Sequence, residues 1–122
     1  MKTEKKTLVL GASPNESRYS NMAVRRLREA GHPVVAVGLR EGTIADVSIQ
    51  QGLPALEGIH TVTLYVGPDH QPAYYDYLMA LRPQRIVFNP GTENTELLRL
   101  ARENGIETEI GCTLVMLTAR TY

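Results

Sequence analysis

A chain of 122 residues, with 13 basic and 13 acidic side chains and no net formal charge, fits a single domain spanning 1–122. It lacks the electropositive excess that marks nucleic-acid binding, and no apolar run approaches the roughly 20 residues needed to span a bilayer. The lone cysteine, Cys112, excludes an intrachain disulfide and a multi-cysteine metal site, so no metal is expected. The opening, Met1-Lys2-Thr3-Glu4-Lys5-Lys6, is charged and lacks the apolar core of a secretion signal, which points to the cytoplasm.

Short apolar runs alternate with amphipathic segments, the pattern of a parallel sheet covered by helices. The first strand is Thr7 to Leu10, and it runs into Gly11-Ala12-Ser13. A helix follows from about Ser20, with Ala23, Val24, Leu27 and Ala30 on its inner face. Gly31 ends it as a left-handed cap, and Pro33 prevents continuation. The second strand is Val34 to Val37, closed by Gly38-Leu39-Arg40. Residues 43–58 read as an irregular excursion holding a short strand or one helical turn. The third strand, Thr61 to Val66, turns at Gly67-Pro68-Asp69 into a helix with Ala73, Tyr77, Leu78 and Leu81 inward. Arg82-Pro83 ends that helix. A fourth strand, Arg85 to Phe88, leads through Asn89-Pro90-Gly91 to a helix over Glu93 to Asn104, with Thr92 as the expected N-cap. The fifth strand is Ile106 to Ile110, and Gly111 to Tyr122 forms a terminal strand or short helix.

The fold class is therefore α/β: a Rossmann-like, doubly wound, mostly parallel five-stranded sheet with helices on both faces. Right-handed crossovers gather the strand-end turns on one edge, where open α/β sheets bind ligands. The first turn is the sharpest clue. A buried strand ending on Gly-Ala-Ser and feeding a helix places unpartnered amides where an anion would sit, so a phosphate-bearing small molecule is expected.

A nicotinamide dinucleotide fits poorly. Its fingerprint wants Gly-x-Gly-x-x-Gly after the first strand and an acidic residue ending the second. Here Gly11 has no second or third glycine after it, and Arg40 cannot accept hydrogen bonds from a ribose diol. Arg40 suits a phosphate on the ribose, as NADP or coenzyme A presents. A response-receiver reading fails too, because Ala12-Ser13 and Gly67 stand where acidic residues are needed.

Several strings, in order, carry a family likeness. Gly11-Ala12-Ser13-Pro14 with Arg18-Tyr19-Ser20 resembles the GASxxxxRxS opening of small bacterial coenzyme A-binding proteins. Their fold is like the coenzyme A-binding domain of the succinyl-CoA synthetase alpha subunit. Val35 to Ile44 is similar to their VxPVNPKxxxI segment, and Leu53-Pro54-Ala55-Leu56 to a short hPSL stretch. Gly91-Thr92-Glu93-Asn94 with Ala101 to Ile106 resembles GxxNEExxxxAxxxGI, and Cys112 lies where the family has a cysteine. Two departures stand out: Gly38-Leu39-Arg40 replaces Asn-Pro-Lys but keeps a cation, and Asn89-Pro90-Gly91 replaces a Gln-containing turn.

The resemblance implies coenzyme A as the ligand. Gly11, Ala12, Ser13, Ser20 and Asn21 would then receive the pyrophosphate, Arg18 or Arg40 would answer its charge, and Gly38 and Leu39 would lie against the ligand beside Arg40. Val66, Gly67, Pro68, Asn89, Pro90 and Gly91 would form the far wall, against the adenine or the pantetheine arm. No catalytic residue is identified, and the synthetases' second domain has no counterpart in this length. The expected function is non-catalytic binding of coenzyme A or an acyl-CoA, as sensor, carrier or regulatory module with an unassigned protein partner. The alternatives are an NADP-type enzyme or a fragment of one, and a degenerate crevice that serves protein contacts. His32 and His60 read as solvent-facing turn residues away from the site. His70 sits on the ligand edge, more simply as a first-turn helix residue after Asp69. Cys112 is read as a buried structural thiol, with a mixed disulfide to coenzyme A as the other option. Of Tyr74, Tyr75 and Tyr77, at least one should be core packing.

Overall fold

The structure, a computed structural model, describes residues 3–122; Met1 and Lys2 of the charged opening lie outside the described residues. In chain order the strands are β1 (Thr7–Leu10), β2 (Val34–Val37), β3 (Thr43–Ile44), β4 (Val47–Gln50), β5 (Thr61–Leu64), β6 (Arg85–Phe88) and β7 (Glu107–Ile110). The helices are α1 (Tyr19–Glu29), α2 (Tyr75–Leu81), α3 (Thr95–Glu103) and α4 (Thr113–Thr118), with a 3-10 segment over Pro68–Tyr74 leading into α2. They build one seven-stranded sheet in the order β3-β4-β2-β1-β5-β6-β7. Every pairing is parallel except β3 with β4.

The chain winds outward from β1 in both directions. The crossover through α1 carries it to β2 on one side, and those through α2 and α3 carry it from β5 to β6 and β7 on the other. With right-handed crossovers, α1 must cover one face while α2 and α3 cover the opposite one. The two cores show this. Leu8, Leu10, Val62, Leu64, Ile86 and Phe88 pack with Leu78 of α2 and Leu97 and Ala101 of α3. The alternate positions Val9, Ala36 and Val87 pack with Val24 and Leu27 of α1 and Met116 of α4. Strands buried on both faces need apolar residues at consecutive positions, which is why β1 reads Thr-Leu-Val-Leu with every residue buried.

The expected doubly wound parallel fold is present, but five strands was too few. Residues 43–50 form a hairpin, β3-β4, that adds β4 as a parallel neighbour of β2. Its turn, Ala45-Asp46, holds Ala45 at φ 54, where glycine or asparagine is the usual signal, so the sequence hides the hairpin. β5 ends at Leu64, short of the expected Val66. The N-cap of α3 is Asn94 in place of Thr92: its side-chain oxygen accepts from the amides of Glu96 and Leu97. The Thr92 hydroxyl is turned inward to donate to the Asn89 carbonyl. The final segment is helical, as one of its two readings expected.

The amino-terminal edge of the sheet, opposite the strand-end turns, holds a polar cluster. Buried Arg85 donates to Thr61 Oγ1 at 3.1 Å, pairs with Glu109 at 3.2 Å and lies 4.5 Å from the Tyr122 ring centre. His60 stands beside it, half-buried with Nδ1 2.7 Å from Thr61 Oγ1, and His32, also half-buried, accepts from the Lys5 amide at 3.0 Å, so neither is the solvent-facing turn residue expected. Burial first, then the positive charges of Arg85 and Lys5, hold the His60 imidazole below its ordinary value of 6.5, against the pull of Glu107. The unfolded chain therefore binds more protons than the native one below about that pH. Stability is fully present above 6.5 and declines as pH falls toward the depressed native value. Thermal denaturation from pH 7.5 to 5 should show this decline, and His60→Gln should flatten it; an unchanged slope refutes the assignment.

Candidate ligand-binding cleft

Outside the carboxyl ends of β1, β2 and β5 lies a cleft of about 840 Å³. Three chain segments build its walls: Gly11 to Pro14 with Arg18 to Ser20, Gly38 to Arg40, and Tyr65 to Gly67 with His70, Ala73 and Tyr74. The winding direction of the sheet reverses at β1, so the loops after β1 and β5 diverge and leave a crevice there.

Two glycines hold the crevice in shape by letting backbone touch backbone. Gly11 has φ +97, and a Cβ there would lie 2.8 Å from the Tyr65 carbonyl. At Gly38 a Cβ would come within 2.1 Å of the Ala12 carbonyl oxygen. The amides of Gly11 and Ala12 both donate to the Val37 carbonyl at 2.9 Å, tying the first turn to the end of β2. These glycines therefore serve chain-on-chain packing more than ligand approach. Gly67 is the opposite case: nothing lies within 4 Å of its missing Cβ, and its backbone (φ −63, ψ 155) suits any residue. Gly67→Leu should thus project a side chain into the cleft. The expected outcome is an unfolding free energy within about 0.5 kcal/mol of wild type, with affinity for coenzyme A reduced about tenfold or more. Denaturation and titration calorimetry check the two halves separately.

The first turn is braced from behind. Asn21, buried on α1, donates from its amide to the Ser13 carbonyl at 3.0 Å and accepts from Arg25 Nε at 2.9 Å. It supports the turn and does not itself line the cleft. Ser13 Oγ accepts from the Asn15 amide, which leaves the hydroxyl proton to donate outward. The N-terminus of α1 has no side-chain cap, and its cap position is Arg18, whose side chain has no partner among the described residues. Arg40 is likewise unpaired among the described residues. With His70, these are the ionisable side chains of the wall apart from tyrosines, and no carboxylate lines it. The cleft is therefore an electropositive, amide-bearing concavity in a protein of zero net charge.

Most of the expected residues come together here: Gly11, Ala12, Ser13, Arg18, Ser20, Gly38, Leu39, Arg40, Val66 and Gly67. Pro68, Asn89, Pro90 and Gly91 share the edge but lie outside the lining. Asn89 is committed to structure. Its side-chain amide donates to Thr63 Oγ1 at 2.7 Å and the Leu64 carbonyl at 2.8 Å, and its oxygen accepts from the Thr113 amide at 2.9 Å. His70 does reach the wall, on the 3-10 segment, whereas Cys112, the cap residue of α4, is half-buried outside it. The three tyrosines divide. Tyr74 lines the cleft, Tyr75 accepts from Asn94, and Tyr77 donates to the Pro54 carbonyl.

Sequence reasoning missed Tyr65, Tyr19 and the latch that holds the 3-10 segment. That latch is Gln71, buried, donating to the carbonyls of Val66 and Thr92 at 2.9 and 2.8 Å. A glutamine between His70 and Pro72 gives no periodic signal. Burial holds the Tyr65 phenol up at about 12, so it stays neutral.

This fold with this cleft defines a Rossmann-like α/β domain with a crevice where its winding reverses. Residues 5–118 match the family described as CoA binding domain, and the chain belongs to that family. It is similar along 99% of its length to all of a protein described as uncharacterised, at 48% identity and TM-score 0.96. A Thermus thermophilus structure described as cell-free ID.343 shares 23% identity, with 98% of this chain and 91% of that one covered, at TM-score 0.85. Weaker likeness, 17% identity at TM-score 0.70, links 85% of the chain to 25% of a dinucleotide-forming acetyl-coenzyme A synthetase 1 from Ca. Korarchaeum cryptofilum. These last two show the shared fold alone. No curated protein matches. Among the described residues, no helix is long and apolar enough to cross a membrane.

Proposed function

We propose that the protein binds coenzyme A or an acyl-CoA in this cleft and acts without catalysis of its own, as a sensor, carrier or regulatory module. The observation that carries the reading is the meeting of Gly11 to Ser13, Arg18 and Arg40 in one carboxylate-free wall of a CoA-binding family member. The Gly11 and Ala12 amides are spent on the Val37 carbonyl, so the amides at the start of α1 and the Ser13 hydroxyl are what suits a pyrophosphate, and an unpaired guanidinium suits the phosphate on the ribose. Val66, Gly67, Ala73 and Tyr74 offer the apolar wall along which a pantetheine arm would run.

Calorimetric titration with coenzyme A, acetyl-CoA, NAD and NADP tests the reading. Saturable binding of the coenzyme A pair, unmatched by the dinucleotides, supports it. Tighter NADP binding transfers the protein to the enzyme class, and silence from all four removes the small-molecule reading. Arg40→Glu should weaken coenzyme A binding by about 10- to 100-fold, the worth of one charge-assisted contact. The variant should melt like wild type, because Arg40 is exposed and makes no internal bond. Unchanged affinity would take Arg40 out of the site.

A further inference from the structure

The wall of the cleft that follows β5 is the 3-10 segment Pro68–Tyr74, and its geometry selects which residues face a ligand. A 3-10 helix has three residues per turn, so side chains three apart stand in one row. Gly67, His70 and Ala73 form such a row, and all three line the cleft. Buried Gln71 fixes the rotation of the segment from behind. It donates to the Val66 and Thr92 carbonyls and accepts from the Asn94 side-chain amide at 3.0 Å. The His70 imidazole is thus the one functional group in a row with two small residues, turned to the cleft by a latch in which it takes no part. It is exposed and its side chain has no hydrogen bond or ion pair among the described residues, so packing does not account for it.

We propose that His70 is a ligand-binding residue of the cleft, a third cation that joins Arg18 and Arg40 when protonated, so that a phosphate-bearing ligand binds more tightly as pH falls. This rests on the coenzyme A reading and deepens it by making occupancy depend on pH. An imidazole is the side chain whose ordinary change of charge falls between pH 5 and 8. The ionisable groups that line the cleft with it are Arg18 and Tyr19 at the start of α1, Arg40 after β2, Tyr65 after β5 and Tyr74 on its own segment. Guanidinium and phenol groups do not ordinarily change charge in that range, so the imidazole is what titrates the cleft. Asp69 and Asp76 are exposed and lie outside the lining, and Glu93 accepts from the Gly91 amide at 2.8 Å. A pyrophosphate beside an imidazole favours its protonated form, and by reciprocity the proton favours the pyrophosphate.

The test measures dissociation constants for dephospho-coenzyme A, with coenzyme A in parallel, at pH 8 and pH 6 for wild type, His70→Gln and His70→Lys. Dephospho-coenzyme A is the cleaner probe, because its pyrophosphate stays ionised over this range whereas a phosphate monoester titrates near about pH 6. All three proteins should melt alike, since the bond from the His70 amide to the Gly67 carbonyl at 3.0 Å belongs to the backbone. Wild-type affinity for dephospho-coenzyme A should rise about fivefold from pH 8 to pH 6, the worth of one partly exposed ion pair. His70→Gln should keep the wild-type pH 8 affinity at both pH values, and His70→Lys the pH 6 affinity at both. His32 and His60, on the opposite edge of the sheet, are common to all three proteins, so their titration cancels. A wild-type slope that survives in His70→Gln overturns the inference. So does an equal loss in His70→Gln at both pH values, which would make the ring a contact of shape and not of charge. A flat wild-type profile overturns it while leaving the coenzyme A reading standing. If coenzyme A binds and dephospho-coenzyme A does not, the same comparison is read on coenzyme A, whose own titration cancels between wild type and variant. Failure of wild type to bind either probe removes both readings.

Discussion

Replacing Gly38 with alanine is expected to lower the unfolding free energy by about 3 kcal/mol and to weaken coenzyme A binding in whatever fraction remains folded. The added methyl would lie 2.1 Å from the Ala12 carbonyl oxygen, 3.0 Å from its carbon and 3.3 Å from Ile49 Cγ2. Two of these neighbours are backbone, so no side-chain rotation relieves the clash. Either the first turn or the end of β2 must move. Moving the turn strains both amide bonds to the Val37 carbonyl, and moving β2 strains the Gly38 amide bond to Gln50 at 3.0 Å. Overpacking against yielding side chains costs about 1–3 kcal/mol, and a clash with backbone belongs at the upper end. The measurement is a urea unfolding curve beside that of Gly67→Ala, whose methyl meets nothing within 4 Å. Near-equal stability of the two variants would show that the turn is looser than its contacts imply.

The contrast between these glycines explains why the site was only partly legible in the sequence. Gly11-Ala12-Ser13 announced itself because a buried strand, a glycine and a helix start are adjacent in the chain. That each loop lies at the carboxyl edge followed from the alternation of strands and helices, so the cleft residues of β1, β2 and β5 were found together. What a glycine is for does not follow from its neighbours in sequence. Gly38 faces Ala12, across a strand pairing, and only the register of β1 with β2 shows it. The same limit hid Gln71, whose partners Val66 and Thr92 are brought in by the turns after β5 and β6. Tyr19 belongs to the string Arg18-Tyr19-Ser20, and nothing in that string marks it as a cleft residue. The β3-β4 hairpin stayed unread because its turn residue, Ala45, carries no left-handed preference.

Asn89 is the residue for which position suggested ligand and geometry gives architecture, and its replacement is expected to be as costly as that at Gly38. The side chain is 2% exposed and ties the end of β6 to two further elements: it donates to Thr63 and Leu64 at the end of β5 and accepts from the first turn of α4. Asn89→Leu matches the volume and removes all of these bonds. Thr63 keeps a partner in the Thr113 hydroxyl at 2.8 Å, but the Thr113 amide loses its acceptor and the Leu64 carbonyl loses a donor in a buried site. An orphaned buried group costs about 1–3 kcal/mol, so a loss of about 3 kcal/mol is expected by urea denaturation. Asn89→Asp separates the two directions of bonding. It retains an acceptor for the Thr113 amide but sets a carboxylate oxygen against the Leu64 carbonyl. That variant should be destabilised at neutral pH and recover as acid protonates the buried carboxyl, because the protonated form again donates. Since Leu64 leads directly into Tyr65, Val66 and Gly67, either change should also reshape one wall of the cleft, and coenzyme A affinity should fall with stability. Asn89→Leu with wild-type stability but no coenzyme A binding would return Asn89 to the ligand-binding set.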